Sequence, residues 1–242
     1  MNISANSEPE PVSASSDSGR GMTKSMSAEY PFTVSKPSFG LRFFKRAIDI
    51  AAALSFFIAF GWLYALLWVG VILSSGAPVI YSQPRYGRNG RIFNFYKFRS
   101  MVRNSAQVLE DHLQNDIDAR KQWAEFQKLE NDPRVTPFGR FIRKTSLDEL
   151  PQFWNVLIGD MSMIGPRPCM TNQKQLYGSH WGSYCAVRPG ITGLWQVSGR
   201  NMLSYEERVK LDVEYVDEMS LMNDLKIFLR TISVVLTGHG SR

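Results

Sequence analysis

The chain has 242 residues, 44% of them hydrophobic, and a formal net charge of +6. That length suits one folded domain plus a tail, and the charge directs attention to anionic partners: nucleic acid, anionic lipid or phosphorylated substrates. Two cysteines, Cys169 and Cys185, lie in no C-x-x-C pair and make no disulfide framework. The three histidines, His112, His180 and His239, are scattered and show no metal-ligand spacing.

Residues 1–38 are rich in Ser, Pro, Glu and Ala and poor in large apolar residues. They bury too little surface to offset ordering entropy, and a disordered tail is expected. Ile50 to Leu73 then run without a charge. As a helix this segment is about 36 Å long, enough for a bilayer core, which takes about 20 residues. Between Phe39 and Arg103 the basic residues Arg42, Lys45, Arg46, Arg85, Arg88, Arg91, Lys97, Arg99 and Arg103 face a single acid, Asp49. Lys and Arg mark cytoplasmic flanks. They lie on both sides of the apolar run, so a helix that bends and returns is favoured over one straight crossing. Gly61 is a weak helix residue that eases such a bend. Basic flanks on an apolar segment also suit an anionic membrane surface better than a nucleic-acid groove.

Asn89-Gly90 is a strong hairpin signal, since both residues tolerate positive φ. It joins a strand from Val79 to a return strand from Ile92 to Arg99. Period 2 places Phe93, Phe95, Lys97 and Arg99 on one face, as a phosphate clamp requires. Residues 104–130 are polar with helical spacing, and Asp132-Pro133 ends that stretch. Ser204 and Glu207 form a capping box ahead of a helix to about Glu218. Asn223 or Asp224 is expected to cap a last helix that carries Leu225, Phe228, Leu229, Ile232, Val235 and Leu236, with Gly238 as its stop. That helix packs on the core or lies in the membrane interface.

Asp148-Glu149 precedes the apolar residues Leu150, Phe153, Trp154 and Leu157. Either Ser146 with Glu149 forms a capping box, or Asp148 is the cap with Pro151 inside the first turn. Both readings place the carboxylates at a helix N-terminus, whose dipole favours their ionised forms. An ionised carboxylate serves as a nucleophile or a metal ligand; ordinary capping is the simpler explanation of this feature by itself. Arg167, between Pro166 and Pro168, sits on a stiff segment suited to holding a guanidinium for bidentate phosphate contact. The stretch Arg188 to Arg200 carries three glycines. It reads as a substrate loop, where Gly admits close backbone approach, or equally as a turn-rich connector.

These residues occur in order as Lys45-Arg46-x-x-Asp49, Gln83-x-Arg85-x-Gly87, Lys97-Phe98-Arg99-Ser100-Met101, Asp132-Pro133-Arg134, Ser146 to Gln152, Met161 to Pro168 and Arg188 to Gly193. Together they resemble the monotopic bacterial polyprenyl-phosphate sugar-1-phosphate transferases, from about residue 41 onward. Within that family the chain is similar to the short enzymes that start exopolysaccharide repeat units with galactose or glucose. The resemblance implies a UDP-sugar donor, an undecaprenyl phosphate acceptor and Mg²⁺. It implies Asp148 as nucleophile, Glu149 as catalytic residue and metal ligand, and phosphate contacts from Lys97, Arg99 and Arg167. Arg188, Gln196 and Arg200 are candidates for nucleotide-sugar binding. The expected class is α+β and mostly helical, with a membrane-embedded re-entrant helix, a β-hairpin and amphipathic helices around one catalytic domain. The expected boundaries are 1–38, 39–78 and 79–242. The implied location is the inner membrane, with the catalytic domain on the cytoplasmic face and no nucleic-acid partner; a homodimer is compatible with it. The family usually breaks its membrane helix at a proline, and this chain has none there. A different UDP-sugar, used for O-antigen, capsule or glycoprotein synthesis, is the alternative reading.

Overall fold

The computed structural model describes residues 37–126, 129–199 and 203–237. The expectations for the tail up to residue 36, for Arg200 and for Gly238 lie outside those residues. The described part is mostly helical, as expected, with one long apolar helix and short strands.

Helix α1 (Phe39–Ser75) starts at Ser38, whose hydroxyl accepts from the Leu41 N–H, and ends at Gly76, which adopts φ 74°. It is long and apolar enough to cross a membrane and runs unbroken through Gly61. Both halves nevertheless pack on the same body. In the first half, the Arg46 guanidinium donates to the Val156 and Leu157 carbonyls at 2.6 and 2.9 Å. Asp49, buried, accepts from the Ser162 hydroxyl at 3.0 Å and the Met163 N–H at 2.8 Å. Phe56 stacks on Phe153 with ring centroids 3.8 Å apart. In the second half, Leu67 and Val71 join Phe98 and Ile142 in one apolar cluster, and Gly70 leaves room for the Phe138 ring. The opposite face of α1 exposes Ile58, Trp62, Leu66, Trp68 and Leu73. An apolar face of this extent marks a surface that meets lipid or protein rather than water.

The hairpin forms as expected. β1 (Ile80–Tyr86) pairs antiparallel with β2 (Ile92–Phe98), placing Tyr81 opposite Lys97. The turn between them puts Asn89 at φ 60° and Gly90 at φ 71°, the conformation for which Asn-Gly is selected.

The polar stretch after it is two helices rather than one. α2 (Ser105–Asn115) stops at Asp116, and α3 (Ile117–Phe126) begins there, with the Asp116 carboxylate accepting from the Ala119 N–H at 2.9 Å. Asp favours such local backbone bonds over helix interior positions, which divides the run. α4 (Pro137–Lys144) is capped by Thr136 and has Pro in its first turn. α5 (Gln152–Ile158) is pinned to β2 by Asn155, which accepts from the Tyr96 N–H and donates to the Asn94 carbonyl.

β3 (Ser162–Ile164) leads to the Gly165-Pro166-Arg167-Pro168 segment and β4 (Cys169–Met170), which adds to the free edge of β1. After a 3₁₀ stretch and α6 (Trp181–Ala186), β5 (Gly190–Thr192) pairs parallel with β3. A Cβ on Gly190 would lie 2.1 Å from the Gly165 backbone nitrogen, so these glycines serve close strand packing. The glycine-rich stretch is thus packed directly against the start of the Arg167 segment. α7 (Leu194–Val197) follows, then α8 (Tyr205–Asp217) with the expected Ser204–Glu207 capping box. α9 (Leu221–Thr237) begins before Asn223 and Asp224, and the Ser220 hydroxyl accepts from the Asn223 N–H in its first turn. Asp224 instead accepts from the Tyr215 hydroxyl and pairs with Lys45 of α1. Of the two cysteines, Cys169 is buried, and neither is in a disulfide.

Candidate active site

Asp148 and Glu149 lie on a 3₁₀ turn (Leu147–Glu149) ahead of α5, not on the helix itself. Ser146 adopts a left-handed conformation, φ 57°, and its side chain makes no cap bond. Neither capping arrangement expected from the sequence forms. Pro151 occupies the position before α5, and the turn delivers both carboxylates into a cleft instead of onto the helix end.

The cleft has a volume of about 710 Å³. Its walls come from the hairpin (Gln83, Arg85, Lys97), from the segment after β2 (Arg99, Ser100) and from Arg134, Arg143 and Arg167. Lys97, Arg99, Arg167, Asp148 and Glu149 are therefore brought together. The Lys97 ammonium donates to Glu149 at 2.7 Å and lies 3.5 Å from the Asp148 carboxylate. Arg99 is anchored by the Pro78 carbonyl at 2.8 Å. Phe98 is a wall of the cleft and also carries Tyr64 of α1, with centroids 4.8 Å apart. The site therefore adjoins the apolar helix directly.

The two carboxylates occupy different electrostatic positions. Burial pushes Asp148, 7% exposed, above its ordinary value; Lys97 and Arg143 oppose this, and the neighbouring Glu149 charge reinforces it. Burial acts in the same direction on Glu149, but the Lys97 and Arg167 charges and the hydrogen bond from Lys97 outweigh it and hold the group below its ordinary value. The helix dipole expected to favour both ionised forms is not what separates them; adjacent cations are. A carboxylate that is ionised yet relatively basic is the stronger nucleophile of the two.

Arg85, Arg134 and Arg143 join the candidate residues in the cleft; Arg85 and Arg134 belong to the ordered motifs, whereas Arg143 carries no local signal in the sequence. Arg85, buried, is fixed by Gln83 at 2.8 Å and the Pro168 carbonyl at 3.1 Å. Burial and the charges of Arg167 and Arg208 push its guanidinium down to about 10. Such crowding of like charge is what an anionic ligand relieves. Arg143 donates to the Ser100 hydroxyl at 2.7 Å, and Arg134 pairs with Asp132 at 2.6 Å.

Behind the cleft a buried network holds the Arg167 segment. Asp212 accepts from the Tyr177 hydroxyl at 2.7 Å, is bonded by the Arg167 backbone N–H and faces Arg208 at 3.9 Å. Burial pushes its carboxyl up to about 6. Arg167 and Arg208 both lie over the Trp195 ring, at 5.3 and 5.1 Å. Gln196 is buried beside Glu149 and Arg167 in a small adjoining cavity, behind the main cleft. Arg188 is elsewhere: it donates to the Gly159 carbonyl at 2.7 Å and lines a separate cavity with Arg46 and Arg88.

The donors fit a magnesium ion. Mg²⁺ binds through one or two carboxylates plus substrate phosphates. Asp148 and Glu149 are adjacent, and Lys97 occupies only one Glu149 oxygen. No larger cluster of metal-binding side chains occurs among the described residues.

A basic cleft that holds a carboxylate pair thus lies beside a helix with an exposed apolar face. The chain belongs to the bacterial sugar transferase family, which matches it over residues 40–238. It is 49% identical over 200 residues to an undecaprenyl-phosphate galactose phosphotransferase of Salmonella typhimurium, covering 83% of this chain and 42% of that protein. A UDP-galactose-lipid carrier transferase of Erwinia amylovora is 50% identical over the same shares. The exopolysaccharide production protein ExoY of Rhizobium meliloti is 42% identical over 219 residues, covering 89% of this chain and 97% of ExoY. The chain thus spans less than half of the first two relatives and nearly all of the third.

Proposed function

We propose that this protein transfers a sugar 1-phosphate, galactose or glucose, from its UDP-sugar to undecaprenyl phosphate, releasing UMP, as the first step of exopolysaccharide repeat-unit assembly. The observation that carries this is the buried Asp148, paired with Lys97 and Glu149, in an arginine-lined cleft that shares Phe98 with α1. Asp148 attacks the sugar-bearing phosphorus; an aspartyl–phosphorus bond forms as the bond to UMP breaks. A phosphate oxygen of the lipid acceptor then attacks the same phosphorus and frees Asp148. Two displacements let a water-soluble donor and a lipid acceptor use one cleft in turn. The transition state of such transfers needs positioning and charge neutralisation more than proton transfer. Lys97, Arg85 and Arg167 provide positive charge toward the equatorial oxygens, and Arg99 and Arg143 extend it toward the mouth. Glu149 would hold a Mg²⁺ ion, which when bound would add to the neutralisation of the diphosphate.

The test is to mix purified protein with UDP-galactose or UDP-glucose and no lipid acceptor. Up to one UMP per chain is expected, with labelled sugar phosphate retained on the protein. UMP appearing only after polyprenyl phosphate is added would favour direct transfer. No UMP with any UDP-sugar would reject the activity. Glu149→Gln is expected to reduce transfer strongly, on the order of a hundredfold, with part of the loss recovered at raised Mg²⁺. An unchanged rate at ordinary Mg²⁺ would remove Glu149 from metal binding.

The protein is proposed to sit in the inner membrane with the cleft toward the cytoplasm, where UDP-sugars are. Lys45, Arg46 and Asp49 near one end of α1, and Leu67 and Val71 near the other, are tied to the same body. That supports both ends facing one compartment. Single cysteines at Gly40 and Ser82, both exposed, in a background with Cys169 and Cys185 replaced by Ala, are expected to be protected together from an impermeant thiol reagent in intact cells. Labelling at position 40 alone would mean a full crossing.

A further inference from the structure

Away from the catalytic cleft, a second basic cavity is lined by Arg42, Lys45, Arg46, Arg88 and Arg188, with Asp49 as its acid. Lys45 is neutralised by Asp224. Arg46 and Arg188 spend their hydrogen bonds on neutral backbone carbonyls of α5 and its cap. Asp49 accepts from Ser162 and Met163; it and the other nearby acid, Asp160, both act on Arg188, two carboxylates against the four arginines Arg42, Arg46, Arg88 and Arg188. Positive charge remains in excess. Burial, then the charges of Arg88 and Arg46, hold the Arg188 guanidinium below its ordinary value. The cavity encloses about 30 Å³, space for an oxygen or two of an anion whose remainder sits at the mouth, and far too little for a nucleotide.

Lys45 and Asp49 also line a neighbouring groove of about 420 Å³ between α1 and α9. Its other walls are apolar, formed by Ile48, Ala52, Leu225 and Phe228. A cation-lined cavity opening beside an apolar groove is complementary to an amphiphile with a negative head. Residues of this pair of cavities do not line the Asp148 cleft.

We infer that the Arg42–Arg88–Arg188 cavity and the α1–α9 groove together form a binding site for one anionic glycerophospholipid, the phosphate in the cavity and an acyl chain in the groove. Arg contacts hold the phosphodiester, the excess of positive charge disfavours a head that carries its own cation, and the groove removes chain methylenes from water. The site is separate from catalysis, so it stands or falls independently of the proposed reaction.

The test uses the full chain in a neutral detergent, titrated with phosphatidylglycerol or phosphatidylcholine and read by native mass spectrometry as lipid retained per chain. One phosphatidylglycerol per chain is expected, and phosphatidylcholine at least tenfold less. The double variant Arg42→Gln/Arg88→Gln alters two side chains with no ion pair among the described residues, and it should lose retention at least tenfold while UMP release persists. Leu225→Asn, on the groove wall, should weaken retention as well. Equal retention of both lipids, or an unchanged double variant, would overturn the inference. So would displacement of phosphatidylglycerol by millimolar inorganic phosphate, which would mark a simple anion site. Displacement by equimolar polyprenyl phosphate would assign the site to the acceptor and overturn it too.

Discussion

An Asp148→Asn variant is expected to fold normally and to lose transfer by on the order of ten-thousand-fold or more, the scale seen when a covalent nucleophile is removed. Asn is nearly isosteric with Asp, and Asp148 is held in the cleft chiefly by the 3.5 Å contact with Lys97. Burial already disfavours its charge, so exchanging it for a neutral amide relieves a cost rather than creating one. The amide cannot form the aspartyl–phosphorus bond. UMP release without acceptor, formation of lipid-linked sugar and a thermal unfolding curve are measured side by side. Near-normal turnover would take the nucleophile's role from Asp148. Unfolding would show a structural part instead.

Much of the site was legible because its signals are local. The period-2 pattern of β2 puts Phe93, Phe95 and Lys97 on one face, and the register sets them opposite Arg85, Gln83 and Tyr81 of β1. Asn89-Gly90 marked the hairpin turn, and Ser204 with Glu207 marked the start of α8, since both devices act within four residues. Where local rules competed, they failed. Ser146 and Asp148 are good cap residues, but the chain turns left-handed at Ser146 and delivers the carboxylates to Lys97, a partner about fifty positions earlier in sequence. Tertiary charge pairing overrode a cap worth about 1 kcal/mol.

The missing parts depend on long-range geometry. The Tyr177–Asp212–Arg208 network joins two segments with no shared periodicity. Each residue alone resembles an ordinary helix position. Arg167, between two prolines, and Arg188, ahead of Pro189-Gly190, were both candidates for substrate contact. The fold sends Arg167 to the cleft and Arg188 to the α5 cap, because the β3–β5 pairing places their segments side by side but facing different cavities. The long apolar run was legible as a helix. Its attachment at both ends required Asp49 to meet Ser162 and Leu67 to meet Phe98, contacts that hydropathy does not encode.

Lys97→Met should lower transfer at neutral pH by about a hundredfold or more, the usual scale for deleting one preorganised charge aimed at a transition state. It should also change the pH profile in a definite direction. Burial raises the Asp148 carboxyl, Glu149 raises it further, and Lys97 is the leading opposing influence. Without the ammonium, Asp148 binds its proton more tightly. The nucleophile is the deprotonated form, so the acid limb of the activity profile must move to higher pH. Glu149 loses its 2.7 Å partner as well, and two adjacent carboxylates resist ionising together. Met keeps the length of the apolar stem and gives up only the ammonium, which lies 5.6 Å from the Phe95 ring centroid. Lys97→Arg restores the charge and should return the limb most of the way, with a smaller recovery in rate because the guanidinium fork does not match a point contact. The measurement is the rate of UMP release from about pH 5 to 9 for the three proteins. A drop in rate with the acid limb unmoved would show that Lys97 acts on substrate phosphate alone and does not set the state of Asp148.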